Sequence, residues 1–554
     1  MQGLMMKQEL MISDILRHAE IAHGTREIFS RESDGSDFVY TWGDCARNSR
    51  KLANALKSDG LETGDRFATI AWNNRRHIEI YYGVSGIGGV VHTINPRLDP
   101  RQIAWMINHA GDSYVAYDLT FAPIIGAIAA NCPNVKRWIP LCEASQMPDL
   151  PVEQTAYDDF IGGASDDLEW PRFDENTASA LCYTSGTTGD PKGVLYSHRS
   201  TVLHAMAAAQ TDVLGLKASS IILAVVPMFH VSAWGLVYAA AMVGAKLVMP
   251  GPNLDGPSLV EMINDQKVSV MCGVPTVWLG VLNELKQSGK TIETVEQATC
   301  GGSALPESLL RAYEQELGIP LRQGWGMTET SPIGVINAPL DGHEAMDYDA
   351  LVPFKLLAGR RLFGVDLRIV DDEDNILPND GEATGHLHVR GPWVASGYFN
   401  STDGDDKWTE DGWFRTGDVA ALHPNGYLEI TDRSKDVIKS GGEWISSIEV
   451  ENAAMNHPEV AMAACIGVRH EKWQERPLLV VQPMPGTTPD PDEIKAHIQK
   501  DCAKWWVPDD IVYMDELPIG ATGKVLKRKI KDVYEDIDLA KGVPDSLRHT
   551  SKAA

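Results

Sequence analysis

The densest set of residues that could do chemistry is the stretch 184–193, T-S-G-T-T-G-D-P-K-G. Glycines let backbone N–H groups point inward at an anion, because no Cβ forbids the required dihedral angles. Hydroxyls and a cation add donors and charge, so the stretch predicts a phosphate-binding loop. It is not a Walker A loop, because Pro191 stands where that motif needs glycine. The alternative is a flexible surface turn, since these are also ordinary loop residues.

A second candidate is Q-G-W-G-M-T-E-T, residues 323–330. Glu329 suits a hard divalent cation, which takes oxygen ligands and bridges phosphates. Gly324 and Gly326 let the backbone approach a ligand closely, and Trp325 offers a π face for stacking. The alternative is a buried tryptophan in a glycine-kinked strand.

Four further positions could complete such a site. Asp418, in W-F-R-T-G-D, is a bidentate acceptor for a vicinal diol, although T-G-D alone is a common turn. His230 and Trp234 lie four residues apart, so a helical turn would put both on one face. A lone histidine in an apolar segment is, however, more often a core residue. Lys524 follows a Thr-Gly turn, whereas the other lysines of this tail are typical of solvated surface.

The elements that must position these residues alternate between apolar strands and amphipathic helices up to about residue 320. This alternation predicts an α/β fold of layered, largely parallel sheets. From about residue 360 to 432 the pattern changes to period-2 strands, which predicts a β-subdomain. The chain after 432 predicts a compact, smaller α+β unit, with helices over 447–455 and 491–505 among its elements. We therefore expect an N-terminal domain, 1–432, and a C-terminal domain, 433–554, joined near 433–436.

Composition narrows the class of partner. Acidic residues outnumber basic ones 76 to 49, for a formal charge of −27, so a duplex nucleic acid is an unfavourable partner. The 8 cysteines show no C-x-x-C pair or metal-ligand spacing, which is typical of reduced thiols in a cytoplasm. The N-terminus lacks a signal-peptide core, and no apolar stretch reaches the ~20 residues of a transmembrane helix. We expect a soluble, cytoplasmic protein.

Taken together, these motifs resemble those of the adenylate-forming superfamily, which includes acyl-CoA synthetases, luciferases and adenylation domains of peptide synthetases. The resemblance extends through most of the chain. It includes a further stretch, S-G-G-E-W-I-S at residues 440–446, which is similar to a motif of fatty acyl-CoA synthetases. Trp325 departs from the family pattern, which more often has tyrosine there.

The resemblance implies a role for each candidate residue. The residues implied to bind ATP or AMP are Thr184, Ser185, Gly186, Thr187, Thr188, Gly189, Lys192, Ser303, Gly324, Trp325, Gly326, Thr328, Asp418, Arg433 and Trp444. Those implied in catalysis are Lys524, Glu329, His230, Lys435 and Lys439; those implied at the acyl site are His230, Trp234, Gly301 and Gly302. Ser440, Gly441 and Gly442 would line the CoA tunnel, and Thr184 and Glu329 would hold Mg²⁺.

The implied reaction has two steps: ATP converts a carboxylate to an acyl-adenylate, and the thiol of CoA then displaces AMP. Between them the C-terminal domain rotates about a hinge that maps to Lys435. The implied acid is a medium- or long-chain fatty acid, with 3-methylmercaptopropionate, a short thioether acid, as the alternative. A homodimer is expected. Loading of a carrier-protein thiol and a non-catalytic sensor of acyl-adenylates remain open alternatives.

Overall fold

The computed structural model describes residues 1, 3–184, 191–401, 404–433, 435–440, 443–520 and 524–552, without the side chains of 405, 443, 444 and 552. The strands are β1 Glu27–Arg31, β2 Asp37–Thr41, β3 Arg66–Ile70, β4 Val90–Thr93, β5 Asp112–Tyr117, β6 Arg137–Pro140, β7 Ala178–Thr184, β8 Lys192–Ser197, β9 Ile221–Ala224, β10 Lys246–Met249, β11 Val270–Gly273, β12 Gln297–Gly301, β13 Leu321–Gly326, β14 Ile333–Ile336, β15 Gly359–Arg361, β16 Asp366–Val370, β17 Thr384–Arg390, β18 Phe414–Leu422, β19 Tyr427–Arg433, β20 Ile438–Ser440, β21 Glu443–Ile445, β22 Val460–His470, β23 Gln474–Pro483, β24 Asp510–Glu516 and β25 His549–Lys552.

Helices connect most of the strands of the N-terminal part. They are α1 Ile12–His23, α2 Trp42–Ser58, α3 Arg75–Ser85, α4 Pro100–Ala110, α5 Ala122–Ile128, α6 Tyr157–Gly162, α7 His198–Ala208, α8 Val231–Trp234, α9 Leu236–Val243, α10 Gly256–Gln266, α11 Pro275–Ser288, α12 Glu307–Arg311, α13 Tyr348–Leu356, α14 Ser447–Met455, α15 Pro491–Asp501 and α16 Lys527–Val533.

Two sheets form the N-terminal part. Among the described residues, the first has the strand order β6-β5-β3-β4-β7-β8 and is parallel except for β8. In the second, β1, β10, β9, β11, β12 and β13 run parallel, and antiparallel strands β14 to β19 continue the same sheet. Helices cover the parallel strands on both faces, which explains their continuous apolar runs. The ends of β7, β12 and β13 carry the candidate residues.

The C-terminal part is built on its own mixed sheet, in the order β21-β20-β23-β24-β25, with β22 paired to β23. Its apolar core includes Ile438, Val450, Cys465 and Leu479. The predicted α/β class, with a large N-terminal and a smaller C-terminal unit, is confirmed. The strands between residues 359 and 433 pair antiparallel and extend the larger sheet through β15 and β14.

Some local predictions were incomplete. The helix predicted to run from 491 to 505 ends at Asp501, because Cys502 has extended dihedral angles. The basic tail forms helix α16, and β25 follows it as an additional strand that the sequence reading missed. The cysteines are unpaired, as expected. Among the described residues, we find no helix with the length and hydrophobicity that crossing a bilayer requires.

Candidate active site

The predicted phosphate loop connects two paired strands. β7 ends at Thr184 and β8 begins at Lys192, and these two residues are cross-strand partners. Residues 185–190, which include the predicted ligands Ser185, Gly186, Thr187, Thr188 and Gly189, lie outside the described residues. The Lys192 ammonium lies 5.2 Å from the centre of the Tyr398 ring, in a cation–π arrangement.

Tyr398 links the loop to the predicted metal ligand. Its hydroxyl donates a 2.7 Å hydrogen bond to Oε1 of Glu329, which is only 5% exposed. Burial raises the pKa of Glu329, and the Tyr398 hydrogen bond opposes that rise. A divalent cation beside this carboxylate would offset its desolvation, and the oxygens of Thr184 and Glu329 are the donor type that Mg²⁺ prefers. Sequence reasoning missed Tyr398, since a tyrosine 69 positions from Glu329 carries no local signal.

The predicted nucleotide-binding side chains of β13, β18 and β19 lie close to one another. The indole Nε1 of Trp325 donates a 2.8 Å hydrogen bond to Oδ2 of Asp418. Asp418 and Arg433 are cross-strand partners, and the guanidinium Nε lies 3.8 Å from Oδ1 of the carboxylate. Asp418, Arg433 and the predicted stacking residue Trp325 therefore form one cluster.

Glycines make room for the Trp325 ring. A Cβ on Gly334 would lie 2.7 Å from Cζ3 of the indole, so the ring rests directly on that backbone. A Cβ on Gly326 would overlap the carbonyl oxygen of Pro332, and one on Gly324 would lie 2.9 Å from Ile336. These glycines are therefore required by close packing of β13 against β14, independently of any ligand.

Lys524, which belongs to the C-terminal part, has its side chain near Asp418 and Arg433. Backbone hydrogen bonds on either side of the undescribed residues 521–523 hold it in place: the Gly520 N–H donates to the Lys524 carbonyl at 2.6 Å, and the Leu526 N–H donates to the Pro518 carbonyl at 2.8 Å. Its Cε lies 3.7 Å from where a Cβ on Gly302 would stand. Burial lowers the pKa of Lys524 to about 8; the positive charge of Arg433 acts in the same direction, and Asp418 opposes it.

The predicted acyl residues lie near Gly301 and Lys524. A Cβ on Gly301 would lie 2.8 Å from Cη2 of Trp234, so the indole lies against Gly301 at the end of β12. Burial, together with the charge of Lys524, lowers the pKa of His230 to about 4, so its imidazole is neutral at pH 7. Ser303, the next residue of the turn, is exposed.

The segment that carries His230 and Trp234 is held by side chains that sequence reasoning missed. The Asn73 amide donates to the carbonyl of Val226 at 2.8 Å and accepts from the N–H of Met228 at 2.6 Å. The Tyr81 hydroxyl donates to the Met228 carbonyl at 2.5 Å. α8 itself is a left-handed turn, with φ of +48° to +58° at four successive residues.

The remaining predicted residues, apart from Thr328, belong to the C-terminal part. Lys435 and Lys439 are exposed, and the N–H of Lys439 donates to Glu475. Ser440 is buried, and its Oγ accepts a 3.2 Å hydrogen bond from Arg476. Gly441, Gly442 and the Trp444 side chain lie outside the described residues. Thr328 is buried, and its carbonyl accepts from the Tyr196 hydroxyl at 2.7 Å.

A fold with a hydroxyl- and glycine-rich loop, a Trp–Asp–Arg nucleoside cluster and a lysine delivered by a second domain is typical of enzymes that form adenylates. The family model of the AMP-binding enzyme matches residues 17–399, and that of the AMP-binding enzyme C-terminal domain matches residues 449–524. The chain belongs to the AMP-binding enzyme family.

Two relatives match over nearly the whole chain. The chain is 49% identical to a 3-methylmercaptopropionyl-CoA ligase of Ruegeria lacuscaerulensis, over 97% of this chain and 99% of the relative. It is 48% identical to a medium-chain-fatty-acid–CoA ligase of Ectopseudomonas oleovorans, over 97% and 98% respectively. The anthranilate CoA ligase AuaEII, solved with anthranoyl-AMP, shares the fold with a TM-score of 0.86 at 23% identity, over 98% of this chain and all of the other.

Proposed function

We propose that the chain is an AMP-forming acyl-CoA synthetase, which activates a carboxylic acid with ATP and transfers the acyl group to CoA. The observation that carries this proposal is that the Lys524 side chain lies beside Gly302 and near the charges of Asp418 and Arg433. A carboxylate and the α-phosphate of ATP repel each other, and a buried ammonium between them offsets that repulsion. Such phosphoryl chemistry depends mainly on positioning and electrostatics.

In the first step, the carboxylate oxygen attacks the α-phosphorus and the bond to the β-phosphate oxygen breaks, which releases pyrophosphate. Asp418 accepts hydrogen bonds from the ribose hydroxyls, with Trp325 and Arg433 fixing its orientation. Neutral His230 can hydrogen-bond the acid without adding charge. Thr184 and Glu329 would hold Mg²⁺, which would neutralise phosphate charge. Lys192 contributes its charge from the other end of the loop.

In the second step, the CoA thiol attacks the acyl carbon and AMP leaves. One lysine cannot serve both steps in one pose, so we propose that the C-terminal domain, 433–554, rotates on the N-terminal domain, 1–432, about residues 433–436. Rotation would replace Lys524 by residues 440–442, which would line the approach of CoA. Lys435 would be the hinge, and Lys439 and Trp444 would contact nucleotide in one of the poses.

For the acid, we propose a medium- or long-chain fatty acid. The indole of Trp234 against Gly301 offers an apolar wall that can move to admit a chain. The 48% identity to a medium-chain ligase supports this choice. A second candidate is 3-methylmercaptopropionate, favoured by the 49% identity to the Ruegeria ligase. We further propose a cytoplasmic homodimer, and light scattering of the purified chain tests its oligomeric state.

Three acids separate these candidates. Pentanoate has the same chain length as 3-methylmercaptopropionate, with a methylene in place of sulfur, and octanoate adds three methylenes. Each buried methylene contributes about 0.8 kcal/mol, so octanoate should exceed pentanoate in kcat/KM by about 60-fold if the tunnel accepts the whole chain. A thioether that exceeds both straight-chain acids would overturn the fatty-acid proposal. AMP release that does not require free CoA would overturn the CoA ligase itself, and no pyrophosphate release with any acid would favour a sensor.

A further inference from the structure

Lys527 is a cation held inside the C-terminal domain, three residues after Lys524. Its Nζ lies 2.7 Å from Oε1 of Glu451 and donates a 2.6 Å hydrogen bond to Oγ of Ser447. The side chains of Lys527 and Glu451 are only 14% and 13% exposed. Glu451 also accepts the N–H of Cys465 at 2.6 Å, so it is fixed to β22. Both side-chain partners of Lys527 belong to α14.

The start of α14 is bound to the last strand of the N-terminal domain. The Ser447 N–H donates a 2.6 Å hydrogen bond to Oδ2 of Asp432, and the Ser446 hydroxyl donates to the Thr431 carbonyl at 2.5 Å. Asp432 is 1% exposed and directly precedes Arg433. Burial raises the pKa of Asp432, and the nearby charge of Lys527 opposes that rise. Lys527 therefore acts on a carboxylate of the other domain.

We propose that Lys527 is a positioning residue for adenylation: its ammonium ties the segment 524–527 to α14 while α14 is bound to Asp432, so that Lys524 reaches the α-phosphate site. This inference rests on the proposed function. The chain of contacts runs from Lys524 along the backbone to Lys527, through Ser447 to Asp432, and from there to Arg433 in the nucleoside cluster. Two links are short backbone segments, Lys524 to Lys527 and Asp432 to Arg433, and the others are hydrogen bonds that join α16 to α14 and α14 to β19. Such a path transmits a change of position with little loss.

The contacts divide into two groups with respect to the proposed rotation. The bonds of Lys527 to Glu451 and Ser447 lie within the C-terminal domain and persist in any pose. The bonds of Asp432 and Thr431 to α14 cross residues 433–436 and must break when the domain turns. Lys527 therefore supports the pose in which Lys524 works, and contributes little to thioester formation. A purely structural ion pair would instead affect both half-reactions through loss of folded enzyme.

The experiment compares variants of the full chain in the two half-reactions, ATP–pyrophosphate exchange and CoA-dependent AMP release from a supplied acyl-adenylate. In Lys527→Met we expect kcat for exchange to fall about tenfold or more, since small misplacements of a catalytic group have effects of up to ~10²-fold. The KM for ATP and the second half-reaction should stay within about twofold. Lys527→Arg should restore most of the exchange, and Lys529→Met, an exposed lysine of the same helix, is the matched control.

Two further variants keep the proposal open to refutation. Lys527→Met leaves Glu451 buried without its cation, which could unfold the domain, so Lys527→Met with Glu451→Gln provides a neutral pair. We expect that double variant to melt near the wild-type temperature and still to catalyse exchange slowly; exchange at the wild-type rate would overturn the proposal.

In a Lys524→Ala background, Lys527→Met should have no further effect on exchange, because it acts through Lys524. The proposal would also be overturned if the two substitutions reduced the exchange rate multiplicatively, or if Lys527→Met reduced the rates of both half-reactions equally. Absence of exchange in the wild type would instead refute the proposed function.

Discussion

The pH dependence of adenylation should report the ionisation of Lys524. Burial lowers the pKa of this lysine to about 8 from a usual value near 10.5. In the proposed reaction, the charged form of Lys524 holds two anions together, and this form is lost as pH rises through the pKa. We therefore expect kcat/KM for ATP in the exchange reaction to be level from pH 7 to about 8. Above that, it should fall about tenfold per pH unit.

Neighbouring charges predict how variants move this break. Arg433 lowers the pKa of Lys524 and Asp418 raises it. Arg433→Gln should therefore shift the break to higher pH, and Asp418→Asn should shift it to lower pH, although both changes weaken ATP binding. Lys524→Arg provides the control, because a guanidinium stays protonated up to about pH 12. Its exchange rate should be lower but level across the whole range.

The assay is ATP–pyrophosphate exchange without CoA, which removes the titration of the CoA thiol from the profile. Plots of kcat/KM report groups of the free enzyme, so bound phosphates do not mask the lysine. A wild-type profile that stays level to pH 10 would refute the reasoning. So would a break in the Lys524→Arg profile at the same pH, since another group would then be titrating.

Three other predictions address the remaining parts of the site. Trp325→Phe keeps an aromatic ring but removes the N–H that donates to Asp418. Because a hydrogen bond to a charged group is worth about 1.5 kcal/mol or more, the KM for ATP should rise about tenfold. Asp418→Ala should raise the KM further, and calorimetry of ATP binding checks both variants. Gly442→Trp should block CoA-dependent AMP release while exchange persists, and loss of both would point to misfolding. Trp234→Ala should move the preferred straight-chain acid to longer chains, and an unchanged chain-length profile would exclude the indole as the wall of the acyl site.

Much of the fold follows from local signals in the sequence. α14 begins and ends where the sequence predicts, at Ser447 and Met455, because Ser446 caps it by accepting the Glu449 N–H. The buried strands of the parallel sheets likewise coincide with apolar runs. β25 was missed because its sequence, H-T-S-K, has no apolar pattern. It forms through parallel pairing with β24, which is a tertiary interaction.

The sequence predicted which residues form the candidate site better than it predicted the contacts between them. Resemblance brought Trp325, Asp418 and Lys524 together as a group, but not the hydrogen bond from the indole to the carboxylate. A tyrosine hydroxyl projects from the ring in a different direction from an indole N–H, so this bond depends on the departure from the family pattern. Tyr398 and Asn73 act through side chains that reach distant backbone or carboxylate groups, and no spacing along the chain reveals such contacts.

Handedness decides how Trp234 meets the acyl site. The sequence predicts a helical turn after His230, and a right-handed turn would place the two rings on one face. The turn is left-handed, with φ of +48°, +51°, +51° and +58° at residues 231–234, none of which is glycine. Such residues cost roughly 1–2 kcal/mol each in this region, so the surrounding packing must impose it. Asn73 and Tyr81 fix the chain just before the turn, and Gly235, at φ +75°, ends it.

The turn directs the indole of Trp234 onto Gly301, where any side chain would collide with it. The proposed wall of the acyl site therefore depends on the strained turn and on Gly301 together, and Gly301→Ala should displace the indole even though Trp234 itself is unchanged.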